Sequence, residues 1–391
     1  MQQAYDMVVI GGGLVGASCA LALANAGYEV ALIESRPHQP QPPYDEKDWD
    51  SRIYALTPGS VAWLQDIGAW QYMPISRVCD ITAMQISGDV PAGALRFSAE
   101  DACAKRLGVI VESNTLQMAL WTAIRQAPIT LLDQQATKSL QMEDGGVTVT
   151  LSTGATLRTS LVVGADGARS WVRAQAGIPA HTHDYGQMGV VANFETTLPH
   201  RNTAWQWFTG DSILAWLPLP GNRISMVWSL TDEDAQKFME LGPNQLSEHV
   251  GAAGGNVLGT LKLINAPQAF PLSQMTAASM TVPGVALVGD AAHLVHPMAG
   301  QGVNLGFRDV QALLEVLATK KPMQSFGDAM LLRAYERARK SDIVAMQAVT
   351  RGLATLFGIK HPMARASRNW GLRQTNRHQS LKKLLMHQAM R

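Results

Sequence analysis

The chain has 391 residues, of which 47% are hydrophobic and 16% charged, so it can bury a large core in two domains or in one interrupted domain. Its three cysteines show no C-x-x-C spacing, which argues against a structural zinc site and a disulfide scaffold. No basic segment opens the chain and no apolar run reaches about 18 residues. The sequence therefore predicts a cytoplasmic protein without a signal peptide or a transmembrane helix.

Positive charge is concentrated at the C-terminus. The net charge is only +1, yet no Asp or Glu follows Asp342. This arrangement favours contact with a membrane surface or an acidic partner. Nucleic acid is disfavoured, because no recognised binding motif accompanies the charge. The tail contains nine basic residues: Arg351, Lys360, Arg365, Arg368, Arg373, Arg377, Lys382, Lys383 and Arg391.

A βαβ unit opens the chain, with strands predicted at residues 7–10 and 28–33 and a small-residue helix at 14–26. The turn before the helix reads G-x-G-x-x-G, and Glu34 ends the second strand about 20 residues later. These glycines permit a tight turn and close approach of a pyrophosphate, while the acid binds a ribose hydroxyl. The unit predicts FAD or NAD, and a purely structural turn is the alternative. The residues concerned are Gly11, Gly13, Leu14, Gly16 and Glu34.

Three further positions are candidates for the cofactor. Arg52 leaves a Pro-rich surface loop at 36–50, where it could lie over a flavin or a phosphate, or be solvated. Gln117 lies one turn from Trp121 in a predicted helix at 114–124, facing either the cofactor or solvent. Asp166 ends an apolar strand and could contact a ribityl chain and a passing NAD(P)H phosphate, or simply cap a surface turn. The sequence between them, at 129–159, predicts a β-meander.

The region 181–274 has a different character, with antiparallel strands predicted at 190–196, 204–208, 213–217 and 223–230. Four tryptophans fall here and could line an apolar substrate cavity on one face of the sheet, or be ordinary core. His181, His183 and Asp184 crowd together, but such a loop cluster is more often polar surface than a metal site. No metal is expected. The tryptophans are Trp205, Trp207, Trp216 and Trp228.

The stretch 285–309 combines a buried strand, Gly289-Asp290, Pro297, Gly300-Gln301-Gly302 and an apolar helix opening near Val303. Glycines let backbone N–H groups approach a ligand, and the helix start offers a positive dipole end. Such a site suits an electron-rich ring that becomes anionic, such as a reduced flavin. An ordinary strand-to-helix loop is the alternative.

The rest of the chain is predicted to be helical. Around 353–359 it places Leu353, Leu356, Phe357 and Ile359 beside basic residues. These form either an amphipathic membrane patch or a helix that covers the core.

Three stretches in order carry a family resemblance: G-G-G-L-V-G-A-S with Glu34, then V-G-A-D-G-A-R-S-W-V-R, then V-G-D-A-A-H-L-V-H-P-M-A-G-Q-G-V-N-L-G-F-R-D. Together they resemble the single-component FAD aromatic hydroxylases built like p-hydroxybenzoate hydroxylase. The stretches D-S-R-I-Y-A-L and V-E-S-N-T-L-Q-M-A-L-W make the chain similar to the ubiquinone-biosynthesis hydroxylases, the group labelled UbiH, UbiF, UbiI and UbiM. The resemblance spans nearly the whole chain. One departure is Ser113, where relatives often carry Asn.

The resemblance implies an α/β fold: a Rossmann-type FAD-binding domain interleaved with an antiparallel-sheet substrate domain, plus C-terminal helices. The FAD-binding segments would be 1–75, 96–180 and 275–340, and the substrate segments 76–95 and 181–274. Residues 341–391 would form a basic helical end. Only one dinucleotide fingerprint occurs, which agrees with a family in which NAD(P)H has no separate Rossmann domain.

The implied chemistry belongs to FAD. NAD(P)H would reduce the flavin, O₂ would add at its C4a atom, and the hydroperoxide would hydroxylate a prenylated phenol in ubiquinone biosynthesis. A membrane surface and other ubiquinone-biosynthesis proteins are the further partners expected. The alternatives are a flavin-dependent reductase or dehydrogenase and a non-catalytic flavoprotein subunit. The resemblance assigns no catalytic residue. It assigns Gly11, Gly13, Leu14, Gly16 and Glu34 to the ADP half of FAD, Arg52, Gln117, Asp166 and Asp290 to its middle, and Pro297, Gly300, Gln301, Gly302, Val303 and Asn304 to the isoalloxazine.

Overall fold

The computed structural model describes residues 3–37, 48–88, 94–143, 145–210, 212–295 and 301–358. No helix in these ranges is long and apolar enough to cross a membrane. The helices are α1 (Leu14–Asn25), α2 (Pro58–Asp66), α3 (Ser113–Gln126), α4 (Trp171–Gln175), α5 (Asp232–Met239), α6 (Pro243–Ala253), α7 (Gln301–Ala318) and α8 (Ala329–Gly358). The strands are β1 (Gln3–Ile10), β2 (Val30–Glu34), β3 (Ile53–Leu56), β4 (Cys79–Ile81), β5 (Ala83–Ser87), β6 (Leu95–Ser98), β7 (Gly108–Glu112), β8 (Ile129–Asp133), β9 (Thr137–Glu143), β10 (Gly146–Leu151), β11 (Thr156–Gly164), β12 (Ala180–Thr196), β13 (Thr203–Thr209), β14 (Ser212–Leu219), β15 (Arg223–Thr231), β16 (Leu261–Leu263), β17 (Gln268–Ala277), β18 (Thr281–Val282), β19 (Val285–Leu287) and β20 (His293–Leu294).

A mostly parallel sheet forms the main core, in the strand order β18-β19-β11-β1-β2-β8. β1 runs parallel to β2 and β11, and β11 runs parallel to β19. The inner strands are buried at residues 7–10, 30–33 and 161–163. Such continuous apolar runs are typical of parallel strands, which are covered on both faces. Because the strands are parallel, the carboxyl ends of β1, β2, β11 and β19 meet at one edge of the sheet, where ligands of open α/β sheets bind.

The predicted meander at 129–159 is only partly correct. β9, β10 and β11 pair antiparallel, but β8 pairs parallel with β2. β8 follows α3, and a helical crossover is the connection that brings a strand back parallel to its sheet. The periodicity of a short strand does not distinguish the two arrangements.

A second sheet, in the order β20-β17-β12-β15-β14-β13-β5-β6, is antiparallel except where β13 meets β5. α5 and α6 pack on one of its faces. The sequence did not predict these helices. The opposite face packs against a small third sheet, β3-β7-β4. Asn193 reaches from this face to the Asp50 carbonyl, with Nδ2 donating at 2.8 Å.

The two large sheets are interleaved along the chain, which confirms the predicted fold class. The first sheet contains β1 and β2, then β8 to β11, then β18 and β19. The second sheet contains β5 and β6, then β12 to β17, then β20. β6 and β17 end at Ser98 and Ala277, a few residues beyond the predicted segment ends at 95 and 274, and β20 adds two residues of the predicted segment 275–340 to the second sheet.

Candidate functional site

The start of α1 forms one wall of the site. Gly13 is the residue before the helix, and within the described residues no side chain caps the first N–H groups. A Cβ placed on Gly13 would likewise meet no described atom within 4 Å. Free N–H donors at the positive end of a helix, beside open space, suit a pyrophosphate.

Gly11 and Gly16 are glycines for steric reasons. Gly11 has φ +105°, in the left-handed region, and a Cβ there would lie 2.5 Å from the Ala165 carbonyl oxygen. At Gly16 a Cβ would lie 1.9 Å from the Gly11 oxygen. The turn between β1 and α1 therefore packs directly against the end of β11, at the edge of the sheet where the ligand is expected.

Glu34, Gln117 and Trp121 all hold Gly12. The Gly12 N–H donates to Glu34 Oε2 at 2.6 Å. Its carbonyl accepts from Gln117 Nε2 at 2.6 Å and from Trp121 Nε1 at 2.9 Å. Gln117 is thus bonded to the fingerprint loop, which neither sequence alternative anticipated. Trp121 is almost fully buried. Sequence reasoning noted its spacing from Gln117 but did not make it a candidate.

Asp166 caps α4. Its Oδ2 accepts the N–H groups of Trp171 and Val172 at 2.7 and 3.0 Å, and its Oδ1 accepts from the Ser170 hydroxyl. This bonding matches the capped-turn alternative. Arg173 on the same turn donates from Nη1 to the Ala291 carbonyl at 2.8 Å, which ties the end of β11 to the turn after β19.

Asp290 lies on the turn after β19, beside the ends of the other strands. It is half-buried, and no hydrogen bond to its carboxylate is found within the described part of the chain. Burial raises the pKa of Asp290, although His293 and Arg52 oppose that effect. A partly buried carboxylate at this edge can accept a hydrogen bond from a ligand hydroxyl.

Arg52 is positioned by a buried ion pair. Arg77 Nε contacts Glu112 Oε2 at 2.7 Å, and Glu112 Oε1 accepts the Asp50 N–H at 2.7 Å. The Arg77 guanidinium also lies 3.9 Å from the centroid of the Trp49 ring. Burial raises the pKa of Glu112 despite the Asp50 and Arg77 contacts. This pair fixes the segment that leads into Arg52, and the sequence offered no signal for it.

α7 begins at Gln301, and a Cβ on Gly302 would meet no described atom within 4 Å. Val303 is buried. Asn304 Oδ1 accepts the Thr57 N–H at 3.0 Å, and its Nδ2 donates to the Ala55 carbonyl at 2.8 Å, so this side chain joins α7 to the end of β3. Pro297, Gly300 and the Gln301 side chain lie outside the described residues.

The structure places the four tryptophans as the core alternative describes. Trp216 and Trp228 are buried in the core between the second sheet and α5 and α6, and Trp205 and Trp207 pack against the same core. Successive side chains of a strand point to opposite faces. The opposite face carries Asn193, which bonds to the segment leading into Arg52. Across its strands, in register, lie the half-buried Gln206, Ala215 and Val227.

The family described as an FAD binding domain matches residues 4–351. The chain belongs to this FAD-binding family. It is 34% identical over 393 residues to the 3-demethoxyubiquinol 3-hydroxylase of Escherichia coli, covering 99% of each chain. It is 30% identical over 434 residues to the human ubiquinone biosynthesis monooxygenase COQ6, covering 98% of this chain and 92% of that one.

Solved structures share the fold of this chain. The p-nitrophenol 4-monooxygenase PnpA of Pseudomonas putida superposes with a TM-score of 0.79 at 19% identity, covering 100% of this chain and 99% of that one. A variant of HpxO from Klebsiella pneumoniae, complexed with FAD, gives 0.76 at 17% identity, covering 98% and 99%. At these identities the likeness establishes the fold. The predicted resemblance to FAD-dependent monooxygenases of ubiquinone biosynthesis is confirmed by the relatives and by the family match.

Proposed function

We propose that this FAD-binding protein uses NAD(P)H and O₂ to hydroxylate the aromatic ring of a polyprenylated phenol in ubiquinone biosynthesis. The observation that carries the proposal is the edge where the start of α1, which has no side-chain cap among the described residues, lies beside the Gly289 turn that bears the Asp290 carboxylate. The full-length identity with a 3-demethoxyubiquinol 3-hydroxylase supports the choice of substrate class.

The residues present fit FAD. The N–H groups at the start of α1, from Gly13 to Gly16, would bind the pyrophosphate, because the N–H groups of Gly11 and Gly12 already donate to the Ile33 carbonyl and to Glu34. Glu34 would accept a ribose hydroxyl in addition to the Gly12 N–H. Asp290 would accept a hydroxyl of the ribityl chain, and Arg52 would lie nearby. Gln117 would act through Gly12, and Asp166 through the turn that it caps. When bound, FAD supplies the transfer of electrons from NAD(P)H to O₂ that makes ring oxygenation possible.

The protein's part is binding, orientation and exclusion of water. The N-terminal end of α7, from Gln301 to Asn304, would stabilise negative charge on the isoalloxazine, and Pro297 and Gly300 would complete that wall. We assign the substrate-facing wall to Gln206, Ala215 and Val227. Two of these side chains are small and apolar, which leaves room for a ring and a prenyl chain between the second sheet and the cofactor.

The C-terminal tail is proposed to hold the protein against the inner face of the cytoplasmic membrane, near its apolar substrate and other ubiquinone-biosynthesis proteins. The support is its composition, with nine basic residues and no acid after Asp342. The positions proposed for the amphipathic patch, at 353–359, lie outside the described side chains. Co-sedimentation with anionic and with neutral vesicles tests this part, and equal binding to both would contradict it.

The decisive experiment measures three quantities together: the flavin spectrum of the purified protein, NAD(P)H consumption with a short-chain prenylated phenol, and the products. The proposal expects bound FAD, substrate-stimulated NAD(P)H oxidation and one hydroxylated product per NAD(P)H consumed. Stimulated oxidation that yields only H₂O₂ would identify a reductase instead. FAD that NAD(P)H does not reduce would identify a non-catalytic subunit. Complementation of strains each blocked at one ring hydroxylation would then identify the ring carbon.

A further inference from the structure

The C-terminal helix α8 holds the turn that carries Asp290, from outside the cofactor edge. The Tyr335 hydroxyl donates to the Leu287 carbonyl at 2.8 Å, at the end of β19. One turn further along α8, Arg339 Nε contacts Asp309 Oδ1 at 2.7 Å. Tyr335 is fully buried and Arg339 is nearly so. Both contacts are therefore shielded from solvent, which strengthens the neutral hydrogen bond of Tyr335 and the charged contact of Arg339.

Asp309 links Arg339 to the turn that carries Asp290. Its Oδ2 accepts the Gly289 N–H at 2.9 Å and contacts His293 Nε2 at 2.6 Å. Burial alone would raise the pKa of Asp309, but His293 and Arg339 hold it below its ordinary value. The carboxylate thus stays charged at neutral pH. It contacts Gly289, one residue before Asp290, and His293, three residues after it.

A second carboxylate fixes Arg339 in place. Arg339 Nη1 contacts Asp342 Oδ2 at 2.9 Å, and Arg308 contacts the same oxygen at 3.0 Å. Asp309 lies on α7 and Asp342 on α8, so the guanidinium joins the two helices. A planar, permanently charged group with several donors suits this bridge better than a lysine would.

We infer that Tyr335 and Arg339 are positioning residues for the flavin: through Leu287 and Asp309 they hold the Gly289–His293 turn where Asp290 meets the cofactor. The inference rests on the proposed function in requiring FAD at this edge. By this inference α8, whose C-terminal end leads to the basic tail, supports the cofactor site from outside. Neither residue belongs to the wall assigned to FAD.

The test compares Tyr335→Phe, Arg339→Gln and Arg339→Lys with a matched control, Thr159→Val. Thr159 is a buried residue whose hydroxyl donates to the Asp6 carbonyl at 2.9 Å, and it lies on β11 five residues before the end of that strand at Gly164. Each protein is stripped of FAD and checked by far-UV circular dichroism and thermal unfolding. It is then titrated with FAD at a temperature where it is folded, with recording of the Kd and of the visible circular dichroism of bound flavin.

We expect Tyr335→Phe to raise the Kd for FAD roughly tenfold, which corresponds to one buried hydrogen bond, and to change the visible flavin signal. Arg339→Gln should do more, and Arg339→Lys should restore part of the loss. Thr159→Val should lower the unfolding temperature and leave the Kd within about twofold, because its bond is remote from the cofactor.

A Tyr335→Phe protein whose Kd and flavin signal match those of Thr159→Val would overturn the inference, and it remains informative if the Arg339 variants do not fold. The proposed function fails separately. Wild-type protein that binds no FAD would contradict both the proposed function and the role of α8. Wild-type protein that binds FAD and hydroxylates a phenol, with variants whose Kd for FAD is unchanged, would contradict only the role of α8.

Discussion

Replacing Asp290 by Asn should have opposite effects on the empty protein and on cofactor affinity. Burial raises the pKa of this carboxyl, and within the described residues no hydrogen bond offsets the burial. An acid with a raised pKa in the folded state costs stability wherever it is ionised, so the cost is present at neutral pH. It disappears as pH falls through the folded-state pKa toward the unfolded value of about 3.9. Asp290→Asn removes the charge without changing the shape.

In the FAD-free protein, we expect Asp290→Asn to raise the unfolding temperature by roughly 1–3 °C at pH 8. The gain should be smaller at pH 5, where the wild-type carboxyl is closer to protonation. In the FAD titration we expect the Kd to rise roughly tenfold or more, because a charged hydrogen bond is worth about 1.5–3 kcal/mol and Asn keeps only a neutral acceptor.

Asp166→Asn is the matched control, since the Asp166 carboxylate already accepts the Trp171 and Val172 N–H groups. Its neutralisation should lower the unfolding temperature, the opposite sign to Asp290→Asn. If Asp290→Asn destabilises the FAD-free protein as Asp166→Asn does and leaves the Kd for FAD unchanged, the assignment of Asp290 to a ligand hydroxyl is wrong.

Three further changes have separate readouts. Trp121→Phe keeps an aromatic ring beside Gly12 but loses the bond to its carbonyl, so the Kd for FAD measured by fluorescence titration should rise about threefold to tenfold. Val227→Phe should project a larger side chain from the proposed substrate wall into the substrate space. The KM for a prenylated phenol should therefore rise, while the Kd for FAD stays unchanged. Arg77→Met leaves Glu112 buried without its cation; denaturant unfolding should show a loss of about 3 kcal/mol at pH 8, and a smaller loss at pH 5, where the carboxyl takes up a proton more readily.

Each of these has a control or a contrary outcome. Met226→Leu lies next to Val227 on the opposite face of β15, in the core under α6, so it should leave the KM unaltered. An equal change of KM in both variants would remove Gln206, Ala215 and Val227 from the substrate wall. For Trp121, an unchanged Kd in a folded variant would limit the residue to packing. For Arg77, a loss that does not depend on pH would show that Glu112 is not the group left unpaired.

Local sequence determined the parts of this protein that depend on near neighbours along the chain. The glycines at 11, 13 and 16 and the acid at 34 predicted a βαβ unit, because a tight turn, a helix start and a strand end are set within a few residues. The same holds for the strand and turn at 285–290. These motifs also carried the family resemblance, which the full-length match confirmed.

Only the tertiary structure decided which side chains meet across the chain. Gln117 and Trp121 bond to Gly12, more than a hundred residues away, and Arg339 reaches Asp309 from another helix. The tryptophans illustrate the same limit, since strand alternation places Trp205 and Trp207 on one face but does not show the register with Trp216 and Trp228 or what that face packs against. The packing of α5 and α6 on one face placed the tryptophans in or against a core, and it is the reason we propose the smaller residues of the opposite face as the substrate wall. Long-range packing, which no short stretch encodes, made that choice.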